Sequence, residues 1–213
     1  MRTAPLLLLP LCLTACHAKF KQYAPTLGSV RSQVVDTGVP YVSLGGAYVG
    51  GSPTVDIAAA VINTVQAVRS VEQTDRIARA VNPDAVAASL VDGLRDTLGR
   101  GPPFAFTDSP DAPLLQVNVD SYGLAVPYLG APGVFTYDLT VNIYTQSGER
   151  VYTNHVSCAT DSGAGEPVER VLSVVDNVAK LDAMSDAEIN DAFVQIGRYC
   201  GGVLVTEMRR HAG

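Results

Sequence analysis

The sequence predicts an α+β fold: a small antiparallel sheet of three or four strands with helices packed on one face. Apolar residues recur at helical spacing over 55–68 and 86–98. Segments that alternate apolar and polar residues follow at 115–119, 135–143 and 150–158, and two more helical stripes close the chain. Helices grouped before and after the strands point to the α+β class rather than α/β. One apolar face per strand is the pattern of an antiparallel sheet covered on a single side. The 213 residues are 47% apolar and 17% charged, which fits one globular domain with a real core rather than a disordered chain.

The chain opens on Arg2, runs through an apolar stretch from Leu6 to Leu13 broken only by Pro10 and Cys12, and reaches Leu13-Thr14-Ala15-Cys16. A charged start, a short apolar middle and small residues before a break make a secretory signal, too short to span a bilayer as a stable helix. The small-residue site ending on a cysteine resembles a lipobox, the signature of the bacterial lipoprotein family. That resemblance covers residues 1–16 alone and carries nothing about the fold. It implies loss of a 1–15 signal peptide, a diacylglycerol on the Cys16 sulfur and usually an acyl group on its amine. The rival reading is an ordinary signal cut nearby, leaving Cys16 a plain thiol. Each buried methylene contributes about 0.8 kcal/mol, and two acyl chains hold stably where one does not. In that family an aspartate after the cysteine favours the inner membrane. Here the position is His17, so the resemblance implies the periplasmic side of the outer membrane, with the inner membrane or cell surface as alternatives.

Losing residues 1–15 removes one cation, Arg2, from the fifteen Lys and Arg. Fourteen then face twenty-one Asp and Glu, and the net charge moves from −6 to −7. An acidic domain argues against a nucleic-acid partner and against a basic grip on anionic lipid, so attachment would come from the lipid. Residues 16–51 read as a lipidated N-terminus and Gly-rich tether. Lys19, Lys21 and Arg31 make its early part basic, Gly45 to Gly51 holds too many glycines for a helix interior, and Val39–Leu44 is at most an edge strand. The glycine run lacks the Lys-Ser/Thr of a P-loop and the spacing of a dinucleotide fingerprint.

A single α+β domain is expected over 52–213. Ser52 caps a helix with Pro53 in its first turn and Asp56 near its start, and Val55, Ala58, Val61, Ile62, Val65 and Val68 face the core. Asn82-Pro83-Asp84 repeats the start signal, Val86, Leu90, Leu94 and Leu98 form the next stripe, and Gly99 and Gly101 end it. Leu115, Val117 and Val119 alternate with polar residues as a half-buried strand. Phe135, Tyr137, Leu139, Val141 and Ile143 do so in a longer one, which turns at Ser147-Gly148 into Arg150–Cys158 as a hairpin. Val168 to Ala179 forms one closing stripe. Ser185-Asp186-Ala187-Glu188 is a capping box launching Ile189, Phe193, Ile196, Cys200, Leu204 and Met208. Gly197, Gly201 and Gly202 would remove bulk where this last helix approaches the sheet, at a cost of about 1 kcal/mol each in propensity.

With Cys12 gone and Cys16 lipidated, Cys158 and Cys200 remain. In an oxidising compartment they most simply pair, and each falls on an apolar stripe directed at the same core. Two free buried thiols is the alternative, and a redox or metal role is weaker because no Cys-x-x-Cys exists. Chemistry is otherwise scarce. A triad of Ser157, His155 and Asp161 can be drawn, but strand neighbours two apart do not face one another as nucleophile and base need to. No Gly-x-Ser-x-Gly elbow or His-Glu-x-x-His helix is present, and the Asp108–Asp111 stretch lacks a calcium loop. No catalytic residue, metal ligand or cofactor is therefore expected.

What remains is surface. Tyr122, Tyr128, Leu129 and Phe135 flank a Pro/Gly loop and make the candidate binding surface, with ordinary packing as the bland reading. The function expected is a non-enzymatic, membrane-anchored periplasmic accessory lipoprotein that binds a protein or another envelope component. A carrier of a small apolar ligand or lipid is the first alternative, and a hydrolase around His155 the second.

Overall fold

Asn82 accepts hydrogen bonds on its side chain from the Asp84 and Ala85 amides at 3.0 and 3.3 Å, with Pro83 in the first turn. These orphan donors and the fixed proline φ set where a helix starts. In the computed structural model this start separates two long helices. Described are residues 18–44, 53–99, 101, 103–126, 134–159 and 178–213, without the side chains of 53–66, 126 and 178–180. A short helix, α1 (residues 18–23), runs into a 3-10 turn at Ala24–Thr26. Strands β1 (Ser29–Asp36) and β2 (Val39–Leu44) follow, then α2 (Pro53–Ala80) and α3 (Pro83–Leu98). Next come β3 (Ala105–Phe106), β4 (Leu114–Val126), β5 (Val134–Tyr144) and β6 (Arg150–Ala159). Helices α4 (Val178–Ala183) and α5 (Asp186–Ala212) close the chain.

Among the described residues the sheet has six strands and is mixed, where three or four antiparallel ones were expected. Its antiparallel part is β4–β5–β6, as the alternation predicted. The difference comes from the other edge of β4, where β1 and then β2 pair in parallel, one after the other. β3 adds to β1, also in parallel. Parallel pairing needs a long crossover, and α2 with α3 supplies it. Between β1 and β2 the chain turns at Gly38, whose φ is +74° and where a Cβ would lie 2.7 Å from the Val119 carbonyl oxygen. Opposite that turn, Asp120 is the extra residue of a bulge in β4.

This changes the domain boundary. Residues 18–44 are part of the fold, not a tether: Phe20 and Val30 are fully buried, and Ala24, Leu27 and Val42 join the same core. The Gly45–Gly51 run and the Val168–Val175 stripe lie outside the described residues.

One face of the sheet meets α3 and α5. Leu115, Val117, Val119 and Leu124 of β4 and Phe135, Tyr137, Leu139 and Ile143 of β5 are buried there against Leu90 and Leu94 of α3 and Ile189, Phe193 and Leu204 of α5. The Ser185–Glu188 capping box is formed in both directions, with the Ser185 amide 2.7 Å from Glu188 Oε2 and the Glu188 amide 3.3 Å from Ser185 Oγ. Cys158 and Cys200 form a disulfide that ties β6 to α5, with their Cα atoms 5.8 Å apart.

The α5 glycines do not face the sheet as expected; they face α3. A Cβ on Gly201 would lie 2.8 Å from the Leu94 amide nitrogen, one on Gly197 would run into Ser89 Oγ, and one on Gly93 of α3 would run into the Arg198 carbonyl. Three glycines thus let the two backbones touch, as ridge-into-groove packing allows only between small residues.

Candidate functional site

The aromatic surface expected around the Pro/Gly loop is not a surface in the described part. Tyr122 is 6% exposed and Phe135 is fully buried. The β4–β5 register places Tyr122 across from Tyr137 and Leu124 across from Phe135, on the face turned to α5. Phe193 stands edge-on to all three rings, at 5.0 to 5.9 Å between centroids. The Tyr137 hydroxyl donates to the Phe193 carbonyl at 3.1 Å. Burial holds the Tyr137 and Tyr122 phenols above their usual range, and Tyr122 raises Tyr137 further. These rings are core, because the strands run longer than the alternation at 115–119 suggested. Tyr128 and Leu129, like Cys16, lie outside the described residues.

The opposite face of the sheet holds the polar groups. Asp138 accepts from Ser121 at 2.9 Å and from Ser157 at 2.6 Å, and Tyr41 pairs with Thr136 nearby. Asp120 accepts from Thr140 at 2.6 Å on the oxygen that lies 3.4 Å from His155 Nδ1. His155 and Ser157 therefore each belong to a different carboxylate, and among the described residues no hydrogen bond joins them. Asp161, the third member of the drawn triad, lies outside the described residues. Asp96 pairs with Arg198, Asp108 with Arg95 at 2.5 Å, and Asp186 approaches Arg76 at 3.7 Å, so these carboxylates are engaged with cations. Among the described residues no three His, Cys, Asp or Glu side chains come together to hold a metal ion.

A cleft does exist, in a place the sequence did not single out. Arg31 of β1, Leu114 of β4 and Tyr144 of β5 form one cross-strand row, next to Gln116. The loop at Pro110–Ala112 and the β5–β6 turn rise beside that row and are tied together by Gln146, whose amide donates to the Asp111 carbonyl at 2.6 Å. The hollow measures about 750 Å³. Arg31 lines it, and its Nε, shielded from solvent, has no hydrogen-bond partner among the described residues. Such a donor is costly to leave unmade, and a guanidinium suits a planar carboxylate. Arg31 was placed in the tether by its basic neighbourhood. Val30, Ser32 and Val34 alternating around it were the signal for a strand.

No protein-family model matches the sequence, and no curated protein matches it. Among solved structures the chain is similar to the crystal structure of Lipoprotein GNA1162 from Neisseria meningitidis. The identity is 15%, over 74% of this chain and 99% of that one, with a TM-score of 0.24. At that identity and score the likeness bears on neither fold nor function.

Proposed function

We propose that the protein is a lipid-anchored accessory lipoprotein of the bacterial envelope, acting by binding rather than by catalysis. The observation that carries this reading is Leu13-Thr14-Ala15-Cys16 behind a short apolar run. Two further features support it. The Cys158–Cys200 disulfide suits an oxidising compartment such as the periplasm. No helix among the described residues is long and apolar enough to cross a membrane, so the acyl chains would supply the attachment. His17 after the cysteine favours the periplasmic side of the outer membrane.

Binding without turnover is supported by the polar face of the sheet, where Ser157 donates to Asp138 and His155 lies beside a different carboxylate, Asp120, at 3.4 Å. In place of the aromatic loop, the Arg31 cleft offers a partner of the envelope one carboxylate-sized anchor point. The test is Cys16→Ser in the producing cell. With a radioactive fatty acid supplied, the parent chain is expected to carry the label and to fractionate with the membrane, and the variant to carry none. A parent chain without label would overturn the reading.

A further inference from the structure

The two ends of the described chain meet at one pole of the fold. Phe20 of α1 is fully buried with its ring 4.3 Å from Tyr152, and Tyr152 shares a hydrogen bond of 2.9 Å with His211 near the end of α5. The last residue, Gly213, lies beside Lys21. Between them opens a hollow of about 560 Å³ lined by Pro25, Gly101, Pro103, Arg209, Ala212 and Gly213, a mostly apolar wall. Four cations, Lys19, Lys21, Arg209 and Arg210, stand around this pole. Among the described residues, Lys19 pairs with Glu149 at 2.6 Å, Arg210 pairs with Glu207, and Arg209 donates to the Thr97 and Gly101 carbonyls at 2.7 and 3.1 Å.

Chain length decides what lies against it. Cys16 and the buried Phe20 are four Cα–Cα steps of about 3.8 Å apart, so their Cα atoms are separated by at most about 15 Å. An acyl group on Cys16 cannot leave the bilayer core, and so this pole cannot leave the membrane surface.

We propose that the α1/α5 pole is a membrane-docking face, its apolar hollow turned to the acyl boundary and Lys21 at its rim turned to the phospholipid headgroups. This rests on the lipid anchor proposed above. A tether of about 35 residues would have left the domain free to tumble. The leash that the fold leaves gives it one orientation, with the start of α5 pointing away from the bilayer. Counting about 1.5 Å of helix rise per residue, Asp191 stands roughly 30 Å from Gly213.

The chain holds no tryptophan, so a single introduced one reports its own depth without background. Full-length protein carrying Gly213→Trp, Pro25→Trp or Asp191→Trp is reconstituted into vesicles of phosphatidylcholine and phosphatidylglycerol with brominated acyl chains. Gly213 lies past the last turn of α5, where a Cβ would meet only the Lys21 side chain at 3.9 Å, so that variant folds even where Pro25→Trp disturbs the 3-10 turn. Tryptophan at 213 and 25 is expected to lose most of its fluorescence, and tryptophan at 191 none. Vesicle-bound protein with equal quenching at 213 and 191, or with quenching at 191 alone, would overturn the docking face and leave the anchor standing. Protein that does not float with the vesicles would overturn the anchor and the face together.

Discussion

The contact between α3 and α5 makes a sharp prediction from two adjacent glycines. A methyl group on Gly201 would lie 2.8 Å from the Leu94 amide nitrogen, 3.0 Å from the Gly93 carbonyl carbon, and closer still to the Leu90 carbonyl oxygen. All three are backbone atoms of the facing helix, flanked by the buried side chains of Leu90 and Leu94, so neither a rotamer change nor a local shift relieves the overlap. Relief requires the helices to part by on the order of 1 Å, and overpacking of that kind costs typically 1–3 kcal/mol. Alanine returns about 1 kcal/mol of helix propensity. With the upper overpacking figure, Gly201→Ala should destabilise by about 2 kcal/mol. At Gly202 the same methyl meets only the Thr97 hydroxyl oxygen, at 3.1 Å, on a side chain that can turn away. Gly202→Ala should then be neutral or gain up to about 1 kcal/mol. Urea unfolding of both variants in a Cys16→Ser background measures this. With a slope near 2 kcal/mol per molar, the midpoints should differ by roughly 1–1.5 M at unchanged slope. Equal midpoints would refute the backbone-on-backbone account of this interface.

Three further outcomes are expected. Replacing Cys158 and Cys200 by serine opens a crosslink of sequence separation 42 and should cost up to about 4 kcal/mol by loop entropy. An unchanged denaturation midpoint would show that the bond contributes nothing. Asn82→Ala removes the acceptor for the Asp84 and Ala85 amides and should lower stability by about 1 kcal/mol, whereas Asn82→Ser should restore most of it. Glu188 is held below its ordinary value of 4.5, first by the Ser185 amide and then by the Ser185 hydroxyl. A lowered folded-state value means the unfolded chain takes up this proton first. The contribution of Glu188 is therefore complete above pH 4.5 and disappears as pH falls through the lowered folded value. Glu188→Gln should flatten that part of the acid limb of a stability-versus-pH curve, and a slope identical to the parent would refute the assignment.

Local signals reached as far as local physics reaches. Asn82-Pro83, the Ser185–Glu188 box and the strict alternation through Phe135–Ile143 each settle their own element, because cap, proline and pleat act within a few residues. The parallel pairing of β1 and β2 on β4 was not legible, since it depends on partners some 80 residues away and Ser29–Asp36 alternates weakly around Arg31. The same gap misplaced the aromatics. Without the full length of β4, Tyr122 looks like a loop residue and Phe135, first in its strand, like the rim of that loop, whereas their register turns both toward Phe193. Gly93 and Gly201 show a related limit: small residues in a helix announce a close neighbour without naming it. The Arg31 cleft needed three strands brought side by side, and no spacing in the chain encodes that.

The anchor at Cys16 is the claim on which both the envelope role and the membrane orientation stand. Mass spectrometry of the amino-terminal peptide, taken from protein extracted out of native membranes, tests it directly. The account predicts a chain that begins at Cys16 and carries a diacylglyceryl mass on its sulfur. A chain that keeps Met1, or begins elsewhere with an unmodified Cys16, would contradict it.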